Sequence, residues 1–192
     1  MKKSMFAALC LSSILALGTV TSCSDNESAP SYFIDPNEDT NIKDLEVLFG
    51  NNEGAQQWEV KQNVHITKGT YLMKGWCYIT DGVTVTIDPG TVIRGDKSTK
   101  AALIVERGGK LIAEGTAQEP MMKKGLRRPG DWGALIICGN ANNNQKEQQI
   151  EGGPRTKHGG NDDNDNSGIF KYIRVEFAGF PFEKDKEING IT

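Results

Sequence analysis

The stretch that decides the fold is DGVTVTIDPGTVIRGD at residues 81–96, followed by ALIVERGGKLIAEG at 102–115. In Val83-Thr84-Val85-Thr86-Ile87-Asp88, apolar and polar residues alternate at period 2, which turns one face of a strand to a core and the other to solvent. Pro89-Gly90 interrupts the run and Val92-Ile93 resumes it. Val85, Gly90, Val92 and Ile93 recur nineteen positions later as Ile104, Gly109, Leu111 and Ile112. A strand–bend–strand unit repeated at a spacing near twenty predicts a solenoid, in which each turn of chain buries its apolar face only against its neighbour. The expected fold is all-β, a parallel β-helix with apolar ladders inside and glycines at tight corners.

The pattern extends in both directions. Val64-His65-Ile66, Met73 to Ile79, Leu103-Ile104-Val105, Leu111-Ile112-Ala113, Leu135-Ile136-Ile137 and Ile173 to Phe177 read as strands, with Gly108-Gly109, Gly152-Gly153 and Gly159-Gly160 among the turn signals. Past the N-terminal leader no segment holds a 3.6-residue period for long. An antiparallel sandwich stays open as the alternative, because Asp81-Gly82 has a plausible strand on each side.

Composition narrows the class. The chain has 192 residues, 22 of them glycine, with 7% aromatic content and a formal charge of -3. A coiled coil needs far more Ala, Glu, Lys and Leu, and a disulfide scaffold needs more cysteine. The charge gives no general reason to expect a nucleic-acid partner, none is expected outside the cell, and no aromatic ladder for bases is evident. Cys77 and Cys138 sit in apolar, strand-like runs and read as buried thiols that act as small hydrophobes.

The N-terminus carries an address. Met1-Lys2-Lys3, the apolar run at 5–17 and the small polar residues Thr19–Ser22 have the three-part layout of a secretory signal, too short to span a bilayer as a helix. Val20-Thr21-Ser22-Cys23 resembles the bacterial lipobox, which implies a signal peptide over 1–22 and lipidation of Cys23. Ser24-Asp25-Asn26-Glu27 resembles the acidic export signal of surface lipoproteins in Bacteroidota. Residues 23–59 hold nine carboxylates against Lys43 alone, so 23–57 reads as an acidic flexible tether, with a short helix expected over Ile42–Phe49. The β-helix is expected over 58–192.

The phrases DGVTVTIDPGTVIRGD, ALIVERGGKLIAEGTAQEP (102–120), GDWGALIICGNA (130–141), HGGNDDNDNSG (158–168), KYIRVEFAG (171–179) and EINGIT (187–192) carry a further likeness. With them the chain resembles uncharacterised surface lipoproteins of Bacteroidota whose fold is a right-handed parallel β-helix. That resemblance implies a fold and an outer-membrane, cell-surface location, and implies no activity. Two departures stand out. Met121-Met122 runs directly into Lys123-Lys124-Gly125-Leu126-Arg127-Arg128, which suggests a shortened or lost coil over 121–129. The last residues break off inside a family phrase, so a β-helix truncated at its C-terminus is expected.

Candidate chemistry is sparse. Asp163, Asp165 and Ser167 in Asp-x-Asp-x-Ser-Gly168 have the spacing of a calcium loop, although the position where an EF-hand needs glutamate is Arg174. A solvated Asn/Asp turn explains the same run without metal. His65 and His158 lie in different coils, so zinc is not expected, and no catalytic triad signature is present. The basic run 123–128 suits an acidic polysaccharide or a solvated loop, while Trp58, Trp76 and Trp132 suit sugar stacking if exposed and a core if not.

The leading expectation is a non-enzymatic lipoprotein, joined to the membrane through Cys23, that binds glycan or extracellular matrix. The alternative is a polysaccharide lyase or glycoside hydrolase, with Asp163 and Asp165 beside Arg155 or Lys157 as its residues. A third reading is a non-functional fragment of a longer gene.

Overall fold

The structure, a computed structural model, describes residues 41–49, 56–124, 128–145, 148–150, 155–183 and 186–192. All of these fall within one unit, Asp39–Thr192. Residues 1–22, where a signal peptide is expected, Cys23 and most of the acidic segment lie outside the described residues.

The chain enters through β1 (Ile42–Asp44) and one helical turn, α1 (Leu45–Leu48), and then winds in coils of three strands. The first coil is β2 (Gln57–Val60), β3 (Val64–Ile66) and β4 (Thr70–Met73). The second is β5 (Trp76–Ile79), β6 (Thr84–Ile87) and β7 (Val92–Gly95), and the third is β8 (Ala102–Val105), β9 (Lys110–Glu114) and β10 (Met121–Lys124). The fourth opens with β11 (Leu135–Ile137). It leaves the helix in an excursion that carries the antiparallel pair β12 (Gln148–Gln149) and β13 (Lys157–His158), and returns through β14 (Gly168–Lys171) and β15 (Ile173–Val175). A last antiparallel pair, β16 (Pro181–Glu183) and β17 (Lys186–Glu187), follows.

Stacking the coils gives three parallel sheets: β1-β4-β7-β10-β15 (sheet A), β2-β5-β8-β11 (sheet B) and β3-β6-β9-β14 (sheet C). The protein is a parallel β-helix, and the sandwich is excluded because every pairing within these three sheets is parallel. Asp81-Gly82 is a corner between sheets B and C, with Gly82 at φ 74°, where a side chain would be strained.

Alternation builds the interior. Val85 stacks on Leu111 and Ile87 on Ala113 in sheet C, while Trp58, Cys77, Leu103 and Leu135 form a continuous inner row in sheet B. All of these are buried in one cluster, and each large aliphatic side chain there contributes about 2 kcal/mol. Outward residues of β6, Thr84 and Thr86, are half-buried. Sheet B differs: all four residues of β5 and of β8 are buried. A second apolar cluster covers its outer face, with Trp76, Tyr78, Ala102, Ile104, Ala134, Ile136, Cys138 and Ile188, and Ile150 of the excursion packs against it.

Three sequence expectations change here. The nineteen-residue echo is not the coil repeat, since Val85 stacks on Leu111 and Ile104 stacks on Tyr78. The echo instead equates β6–bend–β7 with β8–bend–β9, one face out of step, because the β6–β7 and β8–β9 corners share the same strand–glycine–strand grammar, with Gly90 and Gly108 both at positive φ. Met121–Lys124 does not mark a lost coil, since it supplies the sheet A strand between β7 and β15. The helix expected within Ile42–Phe49 is a single turn led by a strand. Those residues belong to the body: β1 pairs with β4, Leu45 is buried, and Phe49 tilts against Trp58 at 5.0 Å. They close the interior at the first coil.

Cys77 and Cys138 are buried and not joined in a disulfide, one inside the helix and the other within the outer cluster. Trp58, Trp76 and Trp132 are all buried, which removes them as a ready sugar-stacking surface. Trp58 and Trp132 donate from Nε1 to the carbonyls of Lys74 and Glu176, so their polar edges are satisfied. Among the described residues no helix is long and apolar enough to cross a membrane.

Candidate functional site

The corners between sheets B and C stack because the strands before them do. Val60, Ile79, Val105 and Ile137 are register partners in successive coils. The residues that follow each therefore line up along the helix axis: Lys61, Thr80, Glu106 and Cys138 in one row and Gln62, Asp81, Arg107 and Gly139 in the next, with Asn140 directly after. Backbone bonds tie the row together, from Thr80 N to Val60 O, Glu106 N to Ile79 O, and Cys138 N to Val105 O. Asp81 and Arg107 each precede a positive-φ glycine, Gly82 or Gly108, that turns the corner.

A cleft of about 660 Å³ opens on this row, lined by Asp81, Glu106, Arg107, Asn140, Arg155 and Lys157. A second, of about 580 Å³, is lined by Phe49, Gln57, Trp58, Glu59, Lys61, Gln62 and Arg155. Arg155 borders both. From the excursion it reaches Glu106 with two bonds, Nε to Oε1 and Nη2 to Oε2, each 3.0 Å, and it also pairs with Glu59. Its guanidinium lies 4.5 Å from the centroid of the Tyr78 ring. Three successive coils therefore hold one side chain, through Glu59, Tyr78 and Glu106.

The electrostatics are uneven. Burial pushes the Glu106 carboxyl up against the pull of Arg155. Hydrogen bonds from Lys61 and then Arg155 hold the Glu59 carboxyl below its usual range. Burial drives the Tyr78 hydroxyl up to about 12 and the Cys138 thiol up to about 11, so neither ionises near neutral pH.

The excursion closes over the row by zipping its own legs together. Gly159 N bonds Gly139 O, Asp162 N bonds Asn140 O, and Arg107 Nη1 donates to Gly159 O at 2.9 Å. Asp163 and Asp165 belong to this zipper. Asp165 Oδ2 accepts from Asn140 N at 2.9 Å and from Ser167 Oγ at 3.2 Å. Asp163 Oδ1 accepts from both nitrogens of Asn142, which keeps that carboxyl below its usual range. Asp163 and Asp165 thus address separate amides across the excursion, while Ser167 bonds back to Asp165. Among the described residues no group of three His, Cys, Asp or Glu side chains stands at metal-binding spacing.

Of the residues singled out from sequence, Arg155 and Lys157 line the larger cleft, whereas Asp163 and Asp165 do not. Asp165 touches it only through Asn140. His65 pairs at 2.6 Å with Asp88, and His158 Nδ1 faces Asn143 Nδ2 at 3.3 Å, so the two histidines serve different partners. Lys123 and Lys124 lie in β10, residues 125–127 fall outside the described residues, and Arg128 N bonds Asp131 Oδ2. Asp81, Glu106, Arg107 and Asn140 were not anticipated. Their signal is faint: a polar residue just past an apolar strand, in Asp81 and Arg107 directly before a corner glycine.

Three parallel ladders, a packed interior and a polar cleft along one row of corners define a parallel β-helix solenoid with a side-wall groove. The chain belongs to the pectate-lyase-like β-helix domain family, whose pattern matches residues 58–192. Comparisons with curated proteins and with solved structures return no match.

Proposed function

We propose that this protein is an outer-membrane lipoprotein, displayed on the cell surface through acyl chains on Cys23, whose β-helix holds a polysaccharide chain along the sheet B–C corner row without cleaving it. The observation that carries the reading is the row Gln62, Asp81, Arg107 and Gly139 from four successive coils, flanked by Lys61 and Asn140, beside two clefts that share Arg155. Coils repeat at about 4.8 Å, so a site spanning four of them is elongated, as a linear polymer requires. Its lining mixes donors and acceptors of both charges, which suits a ligand covered in hydroxyls. Glu59 and Glu106 are both engaged by Arg155, which leaves neither as a ready acid or base.

The test is retention of the purified 24–192 chain in native gels cast with a panel of neutral and acidic polysaccharides. Retardation by at least one, relieved by Arg107→Ala, supports the reading; no retardation across the panel overturns it. Lipidation is tested separately by mass spectrometry of the processed N-terminus, where a diacylglyceryl thioether at Cys23 is expected.

Family membership favours a second reading, cleavage of an acidic polysaccharide, with Asp81 and Glu106 as the carboxylates that share one cleft with Arg107 and Lys157. New reducing ends or an unsaturated uronide product formed by the pure protein would replace the binding reading with this one.

A further inference from the structure

The side chain that borders both clefts sits on an aromatic ring. Tyr78 is fully buried, and among the described residues its hydroxyl has no hydrogen-bond partner. A buried hydroxyl without a partner is unfavourable and asks for one, and a hydroxyl-rich ligand could provide it. Tyr78 points outward from sheet B, in the register row Glu59–Tyr78–Ile104, with Trp76 two residues away on the same face. Arg155 covers the ring with its guanidinium, fastened on either side by Glu59 and Glu106. The side chains of this clamp are partly exposed, at 37% for Arg155, 30% for Glu59 and 20% for Glu106, so water can replace each bond as it opens.

We infer that Arg155 is a gate over a sugar-ring subsite, and that its departure from Tyr78 joins the two clefts and lets a pyranose ring stack on the Tyr78 face with one hydroxyl bonded to Tyr78 Oη. The inference rests on the polysaccharide reading of the groove and adds the residue on which a sugar unit sits. Stacking suits a sugar because its C–H face is apolar while its rim is polar, matching an aromatic ring with a hydroxyl at its edge. Closed, the gate keeps that ring out of water; open, it replaces a guanidinium–ring contact with a ligand–ring contact.

The test uses the 24–192 chain and hydroxyl-radical footprinting read by mass spectrometry. Tyr172, 60% exposed, and Tyr71, 1% exposed, are internal references. In the wild type Tyr78 should be as protected as Tyr71. In Glu59→Gln/Glu106→Gln, which keeps Arg155 but weakens its clamp, oxidation of Tyr78 should rise by about tenfold while Tyr71 stays protected. Tyr78 remaining at the Tyr71 level in that variant overturns the gate, and so does an equal rise at both tyrosines, which would mean that the coils loosen together. A second arm measures polysaccharide retention. If Tyr78→Leu binds like wild type while Arg107→Ala does not, the subsite is wrong and the groove reading survives. If wild type binds nothing in the panel, the groove reading fails and takes the sugar assignment with it, whatever the footprint shows.

Discussion

Arg155 Nε and Nη2 meet the two oxygens of Glu106 at 3.0 Å each, across 49 residues of chain, and so bolt the excursion of the fourth coil to the third. Two parallel N–H···O bonds fix both distance and orientation, which a lysine could not do. The bolt is asymmetric in its consequences. Removing Arg155 leaves Glu106 partly buried without its cation, whereas neutralising Glu106 leaves Arg155 with Glu59.

Arg155→Ala should therefore cost more than Glu106→Gln, about 2 kcal/mol against less than about 1 kcal/mol at neutral pH. Urea unfolding of both variants checks the order. Equal losses would mean that Glu59 and Glu106 share the load evenly.

Acid should act on the two glutamates in opposite senses. The Glu59 carboxyl is held below its usual range by Lys61 and then Arg155, so its contribution is present above its unfolded-state pKa and is lost as pH falls through the folded value. The Glu106 carboxyl is raised by burial, so its contribution is present below its unfolded-state pKa and is lost as pH rises through the folded one. Glu59→Gln should flatten the fall of Tm on acidification, and Glu106→Gln should steepen it. Melting curves across the carboxylate range decide this, and a shift of the same sign in both variants would contradict it.

Two glycines separate backbone strain from steric exclusion. Gly168 has φ 135°, and a Cβ there would run into the Leu111 carbonyl and amide of the neighbouring strand. Gly82 has φ 74° with nothing within 4 Å of an added Cβ. Gly168→Ala should cost on the order of 3 kcal/mol and Gly82→Ala about 1 kcal/mol. Thermal melts would rank them; a Gly82 variant as damaged as the Gly168 variant would mean that the corner tolerates no change of shape.

The thiols of Cys77 and Cys138 are fully buried, and burial lifts that of Cys138 to about 11. Neither should react with a thiol-specific disulfide reagent at pH 8 in the native state, and both should react after denaturation. Peptide mapping distinguishes them. Native labelling of Cys138 alone would show that the outer cluster of sheet B opens on its own.

The strands were readable wherever one face is wet. Thr84 to Ile87 alternates because sheet C has water outside and packed rungs inside. Trp76 to Ile79 and Ala102 to Val105 do not alternate, and their apolar runs are explained by the outer cluster, to which Ile188 near the last residues and Ile150 of the excursion contribute. The single turn at Leu45–Leu48 was legible as apolar residues in an acidic stretch, but its role in closing the first coil was not. That role depends on Trp58 of the first coil offering its ring to Phe49.

Local chemistry determined the class: period-2 alternation makes strands, glycines make corners, and short repeated units must stack to bury anything. Stacking register was left to the tertiary structure. Gln57 lies on Trp76, Trp76 on Ala102, and Leu103 on Leu135, so each coil is longer than the last. When loop length varies from coil to coil, no fixed spacing in the chain can tell which residues become neighbours. Asp81, Arg107 and Asn140 share a groove, and Arg155 sits between Glu59 and Glu106, because the backbone ladder aligns the strand ends and lets the loops between them take any length.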